Sequence, residues 1–171
     1  MSAFSLTRRV ALAALGALAI PAAVPVRRAS AQPLVRFRTI VVDVSPLRAS
    51  AGDPTAAWVQ QELPGALAQA LAAYMAPSDR AGATLVARID LIYLGPSSGG
   101  TGPGGSTQDT ISGVLVVRGA HGGLAADTPL RAITSYYPNA SDLAQIVQSN
   151  HWRVSALAQA FAGWAPRQLG L

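Results

Sequence analysis

Through Ala83–Gly95, Leu85, Ala87, Ile89, Leu91 and Tyr93 alternate with Val86, Arg88, Asp90, Ile92 and Leu94. A two-residue period sustained over this length marks a strand with one unbroken apolar face, while the second set carries charge at its centre. A strand of this kind belongs in a sheet whose dry side is roofed by helices. The segments on either side of it have to supply those helices and the neighbouring strands.

Leu34–Val44 reads as a first strand, rich in β-branched residues at Ile40, Val41, Val42 and Val44 and ended by Pro46. Arg36 and Arg38 fall on the side of Ile40 and Val42, so burial is expected only in its second half. Asp53-Pro54 is a helix start, with Asp as the N-cap and Pro at the first helical position. Trp58, Val59, Leu63, Leu67, Ala70, Leu71 and Tyr74 then repeat at helical spacing as far as Met75. Pro64-Gly65 interrupts the stripe, which calls either for a kink or for two helices meeting there.

After the central strand, residues 95–106 hold six glycines, two prolines and no large apolar side chain, the composition of a flexible loop. Asp109–Arg118 follows as a strand, Gly119–Gly123 as a turn and Pro129–Tyr137 as the last strand. Ser141-Asp142 opens a final helix carrying Leu143, Ile146, Val147, Val154, Leu157, Phe161 and Trp164, with a kink or break expected at Ser149-Asn150. The expected fold class is α+β, in β-α-β-β-β-α order. Its sheet is four-stranded and mostly antiparallel, with two helices on one face. The other face is left open, decorated by Arg88, Asp90, Thr110, Ser112 and Arg118 among Val86, Ile92, Val114 and Val116. That mixture is too apolar for a purely solvated face and too polar for a core, and it suits a partner-binding surface.

The pI of 10.7 and the net charge of +5 invite a nucleic-acid reading. Four of the thirteen arginines, Arg8, Arg9, Arg27 and Arg28, precede residue 32, and none of the eight acids does. The remainder, nine arginines against eight acids, nets +1 with no lysine and no basic cluster, so nucleic acid is excluded as a partner. Residues 1–31 instead have the layout of a cleavable export signal: Thr7-Arg8-Arg9, the apolar run Val10–Val24, and Ala29-Ser30-Ala31 for cleavage. The run, broken by Gly16 and Pro21, is shorter than the ~20 residues of a membrane span. A retained anchor is the alternative, and no transmembrane segment is expected after cleavage. The paired arginines resemble a twin-arginine signal, with the general secretory route as the competing path. Either route leads to the periplasm and leaves residues 32–171 as a single domain. Without cysteine, that domain has to be held by packing alone.

Candidate chemistry is thin. Gly95-Pro96-Ser97-Ser98-Gly99 matches the G-x-S-x-G nucleophile elbow, and Asp142 and His151 follow in hydrolase order. An elbow needs a helix after its serine, however, and here a glycine-rich segment follows. That segment lacks the Lys-Ser/Thr ending of a phosphate-binding P-loop. His121 and His151 have no metal-ligand spacing, Glu62 is the one glutamate, and an ion pair of Asp90 with Arg36, Arg38 or Arg88 is favoured over a carboxylate dyad. No catalytic residue, metal or cofactor is assigned. Trp58 and Trp164 lie on apolar stripes and read as core. Trp152 falls off its stripe, which makes His151-Trp152-Arg153 a candidate protein contact.

The order of elements resembles small exported envelope proteins of bacteria, namely the lipopolysaccharide-assembly lipoprotein and the auxiliary lipoproteins of lipid-handling ABC transporters. Those carry a lipidated cysteine directly after the signal, where this chain has Gln32. The resemblance implies a non-enzymatic periplasmic accessory protein that docks on an envelope protein or lipid-transport complex by its open sheet face or a strand edge. The competing reading is a small periplasmic ligand-binding domain or hydrolase with residues 95–106 as a lid over Ser97, Asp90 and His121.

Overall fold

A computed structural model describes residues 35–96, 106–137 and 145–171. The export-signal features of residues 1–31, most of the glycine-rich loop including Ser97, and Ser141, Asp142 and Leu143 lie outside the described residues. The elements are β1 (Phe37–Asp43), α1 (Ser45–Ala51), α2 (Asp53–Ala70), a 3₁₀ turn (Ala72–Tyr74), β2 (Ala83–Tyr93), β3 (Thr107–Arg118), β4 (Leu124–Tyr136) and α3 (Ile146–Gln168). The fold is α+β, with one four-stranded sheet in the order β1-β2-β3-β4. β1 pairs with β2 in parallel through the helical crossover, and the other two pairings are antiparallel.

The expected strand and helix order holds, with one addition. Pro46 does not merely end β1: it lies in the first turn of α1, where its missing N–H costs nothing, and the Asp43 carboxylate accepts a hydrogen bond from the Ser45 N–H at 2.9 Å. Leu47 anchors this helix in the core. Gly52 then turns the chain with φ 81°, a conformation open to glycine, and α2 begins with Asp53 inside its first turn instead of capping it.

α2 runs through Pro64 without a break, as α3 does through Ser149-Asn150. The bond Pro64 cannot make would go to the Gln60 carbonyl, and Gln60 is on the exposed side where water serves. Ala56, Val59, Leu63 and Leu67 of α2 and Val154, Leu157, Phe161 and Ala165 of α3 are buried against Leu85, Ala87, Ile89, Ile111 and Leu115 of the sheet. Phe37, at the very start of β1, is fully buried, contrary to the expectation that this end lies in solvent. The register slips between Phe37 and Thr39, which turns Arg38 outward and lets both Phe37 and Val42 reach the core.

The largest departure lies in β2. Its pairing with β3 shifts register between Ile89 and Leu91. A bulge there adds one residue and inverts the alternation beyond it. Leu85, Ala87 and Ile89 face the core as expected, but so does Ile92, while Leu91 and Tyr93 turn to the opposite face, 48% and 55% exposed. The apolar face of this strand is therefore broken at Asp90. Gly113 sits across from Ile89, and a Cβ there would come within 2.3 Å of the Arg88 carbonyl oxygen, so the bulge requires glycine opposite it.

Candidate functional site: the open sheet face and the Arg153 cluster

Helices cover one side of the sheet, and among the described residues no element covers the other. On that open face Tyr93, Thr110 and Ile133 lie side by side across β2, β3 and β4, and Leu91 lies beside Ser112, which is followed by Arg131. Ile133 is 52% exposed, and Val41 on β1 is 44% exposed beside Val86. The face thus carries contiguous half-exposed apolar side chains, a surface that water solvates poorly.

Its charges are placed largely as expected. Arg88 and Arg118 are exposed, and the Arg88 Nε donates to Asp90 at 3.2 Å, which selects Arg88 from the three partners considered for that carboxylate. Ser112 is half-buried. Thr110 is on this face but only 7% exposed, walled in by Tyr93 and Ile133, so it contributes little contact area. Ile92, counted with this face from the strand period, lies in the core instead. A groove of about 650 Å³ runs past Asp90, Ser112, Val114, Pro129 and Arg131 to Trp164. Trp164 itself is half exposed with the Arg167 guanidinium 5.5 Å from its ring centre, and so is not the core residue its spacing promised.

His151-Trp152-Arg153 is split three ways. Trp152 is 58% exposed. His151 packs inward between helices, its ring 5.4 Å from that of Trp58 and its Nε2 3.5 Å from Glu62 Oε1. At that distance it makes no hydrogen bond. The Ser155 hydroxyl donates to the other Glu62 oxygen at 3.3 Å. Ser155 and His151 both address the glutamate, not one another, and among the described residues no base-to-nucleophile contact of a hydrolytic triad is present.

Arg153 is not on the surface, being only 4% exposed. Its Nε donates to Asp109 Oδ2 at 2.8 Å, and its Nη2 donates to Asp109 Oδ1 and, at 2.6 Å, to the Gly95 carbonyl. The Gly95 N–H returns a bond of 3.0 Å to Asp109 Oδ1, Asn150 accepts from Nη1 at 3.3 Å, and the Tyr136 ring lies 4.4 Å from the guanidinium carbon. Gly95 opens the glycine-rich segment and Asp109 follows it closely, so α3 holds together the two strand ends that flank that segment. Asp109 was not singled out from the sequence, since a carboxylate at a strand start gives no sign of a partner on a distant helix.

Of the residues of the ligand-binding alternative, Ser97 lies outside the described residues, and Asp90 and His121 stand apart: His121 lies in the β3–β4 turn, while Asp90 sits at the β2 bulge opposite Gly113, about 17 Å along β3 from Arg118. Among the described residues no group of three His, Cys, Asp or Glu side chains is placed to hold a metal ion, and no helix is long and apolar enough to cross a membrane.

No protein-family model matches the chain, and no curated protein does. Among solved structures it is similar to a minor lipoprotein from Acinetobacter baumannii, with 12% identity, a TM-score of 0.40 and coverage of 78% of this chain and 95% of that one. It is also similar to a candidate lipoprotein from Caulobacter crescentus CB15, with 14% identity, a TM-score of 0.43 and coverage of 77% and 86%. Likeness at this level is one of general layout and carries no functional statement.

Proposed function

We propose that the chain is an exported, non-enzymatic accessory protein of the bacterial cell envelope, docking a protein of an envelope or lipid-transport complex on the open face of its sheet. The observation that carries this reading is the row of Leu91, Tyr93 and Ile133, half exposed on the side away from the helices and edged by Arg88 and Arg131. An apolar centre with an arginine rim is the make-up of a protein contact surface. The export part of the proposal rests on residues 1–31, and the chain has no cysteine to carry a lipid directly after that signal.

A photo-crosslinking amino acid placed at Leu91 or Tyr93 in the producing bacterium tests the docking face, with Gln159 on the exposed side of α3 as control. Discrete adducts from the sheet positions, absent from the control and lost on Arg88→Glu, are expected. Identical products from both faces, or none from the sheet, reject it.

A further inference from the structure

β4 is an edge strand, and Pro129 reveals which of its backbone groups face outward. Pro129 has no N–H, and its carbonyl accepts a bond of 3.2 Å from the Gln168 side chain, so its polar groups point away from β3. Alternate residues of a strand address the same neighbour, and the β3–β4 register is unbroken from Pro129 to Tyr136. The N–H and C=O groups of Arg131, Ile133 and Ser135 therefore also point outward, and among the described residues nothing takes them. Exposed apolar side chains flank this edge on both sides of the sheet: Ile133 on the open face, and Trp152 and Trp164 of α3 on the helical face, beside Ser135 and Pro129 respectively.

We propose that a second copy of this chain pairs with β4 edge to edge, antiparallel about a two-fold axis at Ile133, joining the two sheets into one of eight strands. The occupant follows from the self-complementarity of the edge. With the axis at Ile133, that residue meets its own copy, and Arg131 meets Ser135 in both directions. All three outward pairs can exchange their bonds. An axis at Arg131 would set two arginines face to face, and one at Pro129 would centre the ladder on residues with no donor and a carbonyl already taken by Gln168. Because α3 runs antiparallel to β4, with Trp152 near Ser135 and Trp164 near Pro129, the same axis lays the two copies of α3 side by side. Each Trp152 then meets the stretch around Ala160, whose small side chain leaves room for it.

This pairing shares Ile133 and Arg131 with the docking face but rests on the backbone of the β4 edge, and its readout is mass and not crosslinking to a partner. The exported protein, purified from the producing cells, is measured by light scattering from micromolar to submillimolar concentration. Twice the chain mass is expected. The chain has no cysteine, so Ile133→Cys gives one thiol per copy. Cα atoms about 5.5 Å apart in such a pair permit a disulfide, and mild oxidation is expected to link Ile133→Cys into a dimer but not Val41→Cys on the far edge. Ser135→Pro removes an outward donor and is expected to give a monomer with an unchanged unfolding midpoint. Where the proline upsets folding, Trp152→Glu takes its place and weakens association about tenfold or more. A monomeric protein without an Ile133→Cys link, a dimer that links through Val41→Cys, or one that survives both disruptive variants overturns the proposal.

Discussion

Arg153 of α3 and Asp109 of β3 form a two-pronged ion pair across 44 residues of sequence, their side chains 3% and 1% exposed. Two charges taken this far from water are held by mutual attraction only while both are present and their remaining hydrogen-bonding groups are met. Gly95, Asn150 and the Tyr136 ring meet them here. Asp109→Ala leaves a guanidinium buried without a counter-charge and is expected to cost about 3–5 kcal/mol in urea unfolding. Asp109→Leu combined with Arg153→Met removes both charges and is expected to recover most of that loss. A single-variant cost below about 1 kcal/mol, the range of an exposed pair, would show that water reaches the site.

The β2 bulge makes a prediction with opposite signs at two glycines. At Gly113 a methyl group would sit 2.3 Å from the Arg88 carbonyl and 3.0 Å from the Ile89 side chain, and the first of these is backbone that cannot rotate away. Gly113→Ala is therefore expected to destabilise by about 1–3 kcal/mol, as overpacking does elsewhere. Gly163 of α3 has open space around its Cβ position and no positive φ, so Gly163→Ala is expected to stabilise by about 0.5–1 kcal/mol through helix propensity. Urea midpoints of the two variants, moving in opposite directions, check both; the Gly163 change is read in the monomer where the α3 faces pair.

How much of this was legible follows from the same residues. The sheet, its order and its two long helices were readable because each rests on a period carried by many side chains. The bulge was not, since one inserted residue leaves each half of β2 still alternating. The trace it leaves is the isolated Gly113 on the facing strand. Arg153 was misread because it follows the exposed Trp152, whereas its spacing from Ser149, Leu157, Phe161 and Ala165 puts it on the buried face of α3. A charged residue in that series looks like an error until Asp109 is seen opposite it, and that meeting is made by tertiary structure alone. The mixed character of the open face was visible in its composition. Its exposed apolar members were not, because Leu91 and Tyr93 reach that face only through the bulge.

Asp43 gives the structure a pH dependence at the start of α1. The Ser45 backbone N–H, followed by the Ser45 hydroxyl, holds its carboxyl below the ordinary aspartate range; partial desolvation opposes this, and the Arg88 guanidinium adds a smaller push downward. A lowered folded-state value means that stability is gained above the unfolded aspartate pKa of about 3.9 and lost as pH falls through the folded value. Asp43→Ala is expected to cost about 0.5–1 kcal/mol at pH 7, a modest figure because solvent screens the site. Thermal melts of the native protein and the variant from pH 7 to strongly acid conditions are expected to converge below the aspartate range. A gap that stays constant would assign the loss to packing and not to the charge.

The export reading makes its own prediction, separate from the fold. If Arg8 and Arg9 engage the twin-arginine route, replacing both by lysine keeps the charge of the n-region but removes the paired guanidinium groups, and the precursor is expected to accumulate in the cytoplasm. If the general secretory route is used, positive charge alone suffices, and the double lysine variant is exported as before. In both cases the exported protein is expected to begin at Gln32, since Ala29-Ser30-Ala31 presents the small side chains that signal cleavage requires. N-terminal sequencing of the periplasmic fraction reads the cleavage, and the distribution of the Arg8→Lys/Arg9→Lys variant reads the route. A full-length chain that stays with the membrane would show that residues 10–24 are retained as an anchor. The docking face would then be tethered to the membrane and not free in the periplasm.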